Sequence, residues 1–349
     1  MMKRVFFTVL LLMMAVFLNT SAEKVVSEPQ TCLDFQYIIL EDGCAEIVGY
    51  TGTAQGIIIP ESLDGTPVRS IGTEAFFMND KLTSAVIPEG VTMIGAGAFK
   101  YCTGLENISL PESLVTLGDS VFYKCKSLKT VTLPGGIKTV PWETFAYSGI
   151  ESLVLSDGIV SMDELAVDYC DNLTSVVLPS TLEFMDEGAI YACDGIKTIE
   201  LPSSLRMVGG NPFSCCMNLS EVILAQDNPY FEMVDGILYG IEDQSVVCCP
   251  AVWPGTEIII RDGTKIIHKS AFCWSLNIEA VRIPESVTSI GNYAFQGCQK
   301  LKSVNVPDSV NRIGNMVFYK CPNLTLTVRE GSYAESYCLK EGIQYEFGQ

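Results

Sequence analysis

One motif recurs every 23 residues along most of this chain, and a repeat of that length leaves few folds open. Residues 94–111 read Ile94-Gly-Ala-Gly-Ala-Phe99-Lys-Tyr-Cys102-Thr-Gly-Leu105-Glu-Asn-Ile108-Ser-Leu110-Pro111. Residues 290–307 read Ile290-Gly-Asn-Tyr-Ala-Phe295-Gln-Gly-Cys298-Gln-Lys-Leu301-Lys-Ser-Val304-Asn-Val306-Pro307. The shared template is I-G-x-x-A-F-x-x-C-x-x-L-x-x-V-x-I-P. Its aromatic column runs Phe76, Phe99, Phe122, Phe145, Val167, Ile190, Phe213 and then Phe272, Phe295, Phe318. Within each run the spacing is 23, apart from a step of 22 between Phe145 and Val167, so ten coils are visible.

Each coil has a physical reading. Val304-Asn-Val306 alternates as a strand with one buried face. The Pro that follows ends the strand, because it has no N–H for the ladder. Val-x-x-Ile-Gly is a second short extended piece, and Ala-Phe-x-x-Cys fits one helical turn with its apolar residues inward. No coil can bury its own apolar face, so neighbours must stack, at roughly 4.8 Å per coil. The expected fold is a repeat solenoid: a right-handed leucine-rich-repeat coil stack, rich in β-strand, with short helical turns.

The period breaks twice. The first coil is widened by residues 63–68, and residues 226–256 lengthen a later coil by 13 residues. Apolar runs around short polar stretches in that insertion predict a β-hairpin bulging from one face. Residues 23–56 predict an N-terminal capping hairpin, 57–329 the solenoid, and 330–349 a C-terminal cap. In that cap a short helix should end with Gly342 just past its last turn.

The repeat IGxxAFxxCxxLxxVxIP resembles the BspA-like, or treponemal-type, leucine-rich-repeat family. So do Asp235-Gly-Ile-Leu-Tyr239, Cys249-Pro250 and Glu330-Gly-Ser-Tyr-Ala-Glu335, and the likeness covers nearly all of residues 35–345. It implies a surface protein that adheres to host or matrix proteins or to neighbouring cells, with no catalytic residues.

Residues 1–22 have the layout of a secretory signal peptide. Lys3 and Arg4 precede an apolar run over residues 5–17, and Thr20 and Ala22 stand at −3 and −1 of a cleavage before Glu23. The run is too short for a membrane-spanning helix. Removing it takes the formal charge from −19 to −21. Such a surface repels phosphates and anionic headgroups, which argues against nucleic acid and against direct membrane binding.

Fourteen cysteines in an exported chain would ordinarily suggest disulfides. Seven of them, however, share one repeat position: Cys102, Cys125, Cys170, Cys193, Cys216, Cys298 and Cys321. Equivalent side chains in a parallel stack point the same way, so their sulfurs stay about a coil apart, far beyond the roughly 2.05 Å of a bond. They read as free, small core residues. Cys215-Cys216 and Cys248-Cys249 bracket the insertion, but adjacent cysteines make a poor zinc clamp, and no metal or other cofactor is expected. The single histidine, His268, replaces the template glycine and reads as a partly exposed turn residue. With one histidine, and neither G-x-S-x-G nor H-E-x-x-H, no catalytic triad suggests itself. The acidic pairs Asp163/Glu164 and Asp186/Glu187 read as solvated turn residues.

Binding is therefore expected on the strand face. Its outward position reads Val86, Ser109, Thr132, Val154, Val177, Glu200, Ile223, Arg282, Asn305. Val154, Val177 and Ile223 are candidates for the apolar centre of an interface with an extracellular protein, with Val86 and Thr132 beside them. The alternative from another class is an envelope or matrix component that self-associates through its caps or this face.

Overall fold

The computed structural model describes residues 26–348; the expected signal peptide lies outside them. Two columns of parallel strands run along the molecule, each divided into several sheets. The first starts at Gly56–Ile58, continues through Ser84–Val86 and Asn107–Ser109, and ends at Gln344–Phe347. The second is built from two-residue strands such as Met93–Ile94 and Thr116–Leu117. Together they make a β-solenoid of about 13 turns with almost no helix. The ten motif-bearing coils are joined by three turns that lack the motif: one at Gly56–Ile58, one at Glu257–Ile259 and the last at Gln344–Phe347.

The core follows the columns. Phe99, Leu105, Phe122, Leu128, Phe145 and Leu153 have no exposed surface. Phenylalanine rings stack coil on coil, with centroids 4.9 Å apart for Phe76–Phe99 and 5.4 Å for Phe122–Phe145. The same stack resumes as Phe272–Phe295 (4.9 Å) and Phe295–Phe318 (5.4 Å).

The Ala-Phe-x-x-Cys corner is not a continuous helical turn. Its N–H groups alternate between a partner three residues back and one in the next coil. Phe77 donates to the Glu74 carbonyl at 3.0 Å, while Phe76 donates to Ala98 at 2.8 Å. Left-handed residues make this alternation possible. Met78, Tyr101, Lys124, Tyr147 and Tyr169 all have φ between 49° and 63°.

The ends are closed. At the N-terminal side, Gln30–Cys32, Phe35–Ile39 and Ala45–Tyr50 form an antiparallel meander, and Tyr50 packs 5.7 Å from the Phe76 ring. At the other end, Ser332 caps the helix Tyr333–Glu341, Gly342 adopts the left-handed conformation, and Tyr337 sets its ring edge-on to Phe318.

The insertion departs from the sequence expectation. It does not bulge from a face. Phe231–Val234, Ile237–Gly240 and Ser245–Cys248 form an antiparallel meander whose last strand joins the second ladder beside Ile266–Ile267. Leu238, Val247 and Cys248 pack into the core on the N-terminal side, and Ile237, Tyr239, Val246 and Cys249 into the core on the other. Ile237–Gly240 and Ser245–Cys248 are buried throughout because the meander is a partition between two hydrophobic cores.

Candidate partner-binding surface

Along the first ladder two outward columns alternate with the buried one. The first is mostly small and polar: Ser84, Asn107, Thr130, Ser152, Ser175, Thr198. The second carries the expected site. Val86, Val177 and Ile223 are 41 %, 50 % and 40 % exposed, and Thr132 is exposed as well. Val154 lies in register between Thr132 and Val177 and is only half-buried rather than open. Parallel pairing brings Thr132, Val154 and Val177 together on three adjacent strands. Ile223 stands on a separate pair of strands beside Glu200, and Val86 on an earlier one beside Ile58 and Ser109.

Two residues of this column escaped the sequence reading. Ile58 and Ile259 are its most open apolar members, at 76 % and 69 %. Continuing the column one coil back, and restarting it after the insertion, would have found both. Polar residues border the apolar ones, and several pair across coils: Lys129 with Glu151 at 2.6 Å, and Arg282 with Glu257 at 2.7 Å. The result is a narrow β-branched strip in a polar frame.

The depressions beside Gln36, Tyr50 and Phe76, and beside Glu183, Arg206 and Tyr230, are shallow and open. Among the described residues no group of three or more His, Cys, Asp or Glu side chains could hold a metal ion. His268 is partly buried, and its Nε2 lies 2.9 Å from Asp243 in the inserted meander. Burial opposes ionisation of Asp243, but hydrogen bonds with His268 and Ser245 outweigh it and hold the carboxyl below its usual range. This pair ties the meander to the next coil. The turn acids are less solvated than expected: burial first, then repulsion from Asp119 and Asp186, raises Asp163 to about 6.

A model of the BspA type leucine-rich-repeat region matches residues 69–193, 138–233 and 255–341. The chain belongs to the BspA-type leucine-rich-repeat family. Solved structures share the fold. A leucine-rich cell surface protein of Faecalibacterium prausnitzii has a TM-score of 0.66 at 23 % identity, covering 93 % of this chain and 95 % of that one. The pneumococcal vaccine antigen PcpA has a TM-score of 0.63 at 18 % identity, with 87 % and 82 % covered. A leucine-rich repeat protein of Bacteroides ovatus has a TM-score of 0.60 at 22 %, with 92 % and 100 % covered. No curated protein matches in sequence. BspA-type solenoids are a protein-interaction fold and not an enzyme fold.

This BspA-type solenoid also carries a second, partly exposed stripe. Phe77, Tyr101, Tyr123, Tyr147, Tyr169 and Tyr191 form an unbroken ladder along the corner, with successive centroids 5.0–5.8 Å apart. Its only sequence signal was a Tyr one or two places before the cysteine column. Lys124 lies within 5.1–5.7 Å of three of these rings, and Lys100 lies 4.5 Å over Tyr123. Only Tyr147 and Tyr169 stack face to face; the other pairs meet tilted or edge-on. The open rings of the stripe, Phe77, Tyr147 and Tyr169 at 40 %, 39 % and 44 %, are about as exposed as Val86 and Ile223 on the strand face.

Proposed function

We propose that this BspA-type solenoid is a secreted or cell-surface adhesion module that binds an extracellular protein on a host, a matrix or a neighbouring cell. The contact is centred on Val154, Val177 and Ile223, with Val86 and Thr132 at its margin. One observation carries the reading: exposed β-branched side chains, Val86, Val177 and Ile223 among them, recur on one polar-framed face. Excluding water from such a strip is where most binding energy arises. The surface-protein description of the Faecalibacterium relative supports the location.

Replacing Val154, Val177 and Ile223 together by lysine leaves the inward residues intact and adds three positive charges. The control carries the same charge change elsewhere, as Glu112→Gln, Asp262→Asn and Glu285→Gln, all exposed. Binding of residues 23–349 to host cells and matrix proteins should fall at least tenfold, or about 1.4 kcal/mol, for the lysine variant only. Equal binding by the two folded variants would remove the site from this face. Oligomers in the wild type that the lysine variant abolishes would instead support the self-associating envelope or matrix role.

A further inference from the structure

Two of the fourteen cysteines, Cys215 and Cys273, meet from different repeat positions. The seven column thiols each donate to the carbonyl of the column residue 25 or 26 positions earlier, for example Cys125 to Phe99 at 3.2 Å and Cys298 to Phe272 at 3.1 Å. Cys215 and Cys273 occupy different repeat positions, two residues after Phe213 and one after Phe272. The one-place offset frees them from the parallel alignment that separates equivalent cysteines. Their sulfurs face each other at 3.8 Å.

We propose that Cys215 and Cys273 are an oxidisable pair whose disulfide staples the two cores of the solenoid across the inserted meander. The location supports it. The outer corner at Asn211 and Cys215 meets residues 269–273 directly, past the insertion. Asn211 donates its N–H to the Lys269 carbonyl at 3.1 Å and its Nδ2 to the Ser270 carbonyl at 3.0 Å. Glu187 accepts from Ser270 Oγ at 3.0 Å and pairs with Lys269 at 3.4 Å. A bond here would close a loop of 58 residues containing the whole meander.

The two thiols have distinct roles. Cys215 is half-buried, in a left-handed backbone, with Sγ 3.2 Å from Tyr191 Oη. Hydrogen bonds with Cys273 and then Tyr191 outweigh burial and hold its thiol below the ordinary range, while the same contact and burial hold Cys273 above it. Cys215 is therefore the attacking thiolate. The oxidant is a low-molecular-weight disulfide, RS–SR. The Cys215 thiolate attacks one sulfur, forming Cys215–S–SR and expelling RS⁻, which takes up the proton that Cys215 released. Cys273 then loses its proton and attacks Cys215 Sγ, expelling a second RS⁻ that is protonated in turn. Two protein thiols become one disulfide, and RS–SR is reduced to two RSH.

Folded, reduced protein treated with oxidised glutathione tests this. After quenching, denaturation and peptide mapping, one Cys215–Cys273 cross-link should be found, with the other twelve thiols free. Cys273→Ser should stop at a glutathione adduct on Cys215, and Cys215→Ser should leave Cys273 unmodified. The oxidised wild type should unfold at higher denaturant than the reduced form, and Cys215→Ser should show no such shift. A cross-link elsewhere, or wild-type protein that keeps both thiols free, overturns the proposal without recourse to any variant.

Discussion

Replacing Asp168 by asparagine should stabilise the solenoid at pH 7.5 and leave it nearly unchanged at pH 4. Asp168 lies in the two-residue strand Val167–Asp168, hydrogen-bonded to Ile190–Tyr191, and is buried at 5 % exposure. Its Oδ1 is buried without a hydrogen-bond partner. Burial first, then repulsion from Glu143, raises its pKa from 3.8 to about 7, with the Tyr169 N–H opposing. Between about pH 4 and about pH 7 the folded chain thus holds a proton that the unfolded chain has released. Stability from this group is present at the acidic end, falls as pH rises through that window, and is flat above it.

At about 1.4 kcal/mol per unit, a shift of this size has a ceiling of about 4 kcal/mol, which solvent screening near a surface corner reduces to about 1–2 kcal/mol. Asparagine has no charge to bury and escapes that loss. Urea melts of both proteins at pH 4.5, 6.0 and 7.5 should therefore diverge steadily with pH. Asp163, raised to about 6, and the general acidity of the chain contribute the same slope to both, so the difference isolates Asp168. Parallel stability profiles for the two proteins would refute the reasoning.

Two further substitutions test the core and the coil spacing. Phe99→Ala and Phe295→Ala should each cost about 3–5 kcal/mol in denaturant melts through the cavity left between stacked rings. Lys302→Ala, which breaks only an exposed pair with Glu279, should cost about 0.5 kcal/mol or less; equal losses would remove the phenylalanine column from the core. Gly135→Ala should destabilise by about 1–3 kcal/mol, because a Cβ there would lie 1.8 Å from the Asp157 carbonyl in the next coil. Gly56→Ala meets only the movable Ser84 hydroxyl at 2.8 Å and should be mild, so equal shifts in thermal melts would contradict the backbone-contact argument.

The strands and the core were legible because their signal is local. Val304-Asn-Val306 alternates within three residues, and the buried partner of each inward residue is its own counterpart one period away. The corners were not legible. Phe-x-x-Cys fits a helical turn in spacing, and nothing local shows that the Phe76 N–H leaves its own coil for Ala98. Tyr101 and Lys124 are not residues that announce a left-handed backbone; the stack imposes it. The cysteine column likewise read as filler, since its carbonyl partner belongs to the coil before. On the surface, the β-branched column was readable from the strand alternation. The half-burial of Val154 depends on its neighbours in the sheet, which a single strand does not reveal.

The insertion shows what a repeat does when its period fails. Stability in a solenoid is close to a sum over neighbouring coils, so a missing stacking partner weakens the array at that point. Here the aromatic column jumps from Phe213 to Phe272, and Cys249 donates its N–H to Ala271 where other coils present the column residue. The meander compensates from inside by offering one apolar face to each core. Outside, the joint is held by polar groups that the template does not supply: Asn211, Glu187, Lys269 and Ser270, with His268 and Asp243 beside them. The Cys215–Cys273 contact lies in the same seam. Departures from the repeat concentrate there because only there must two cores be joined rather than one continued.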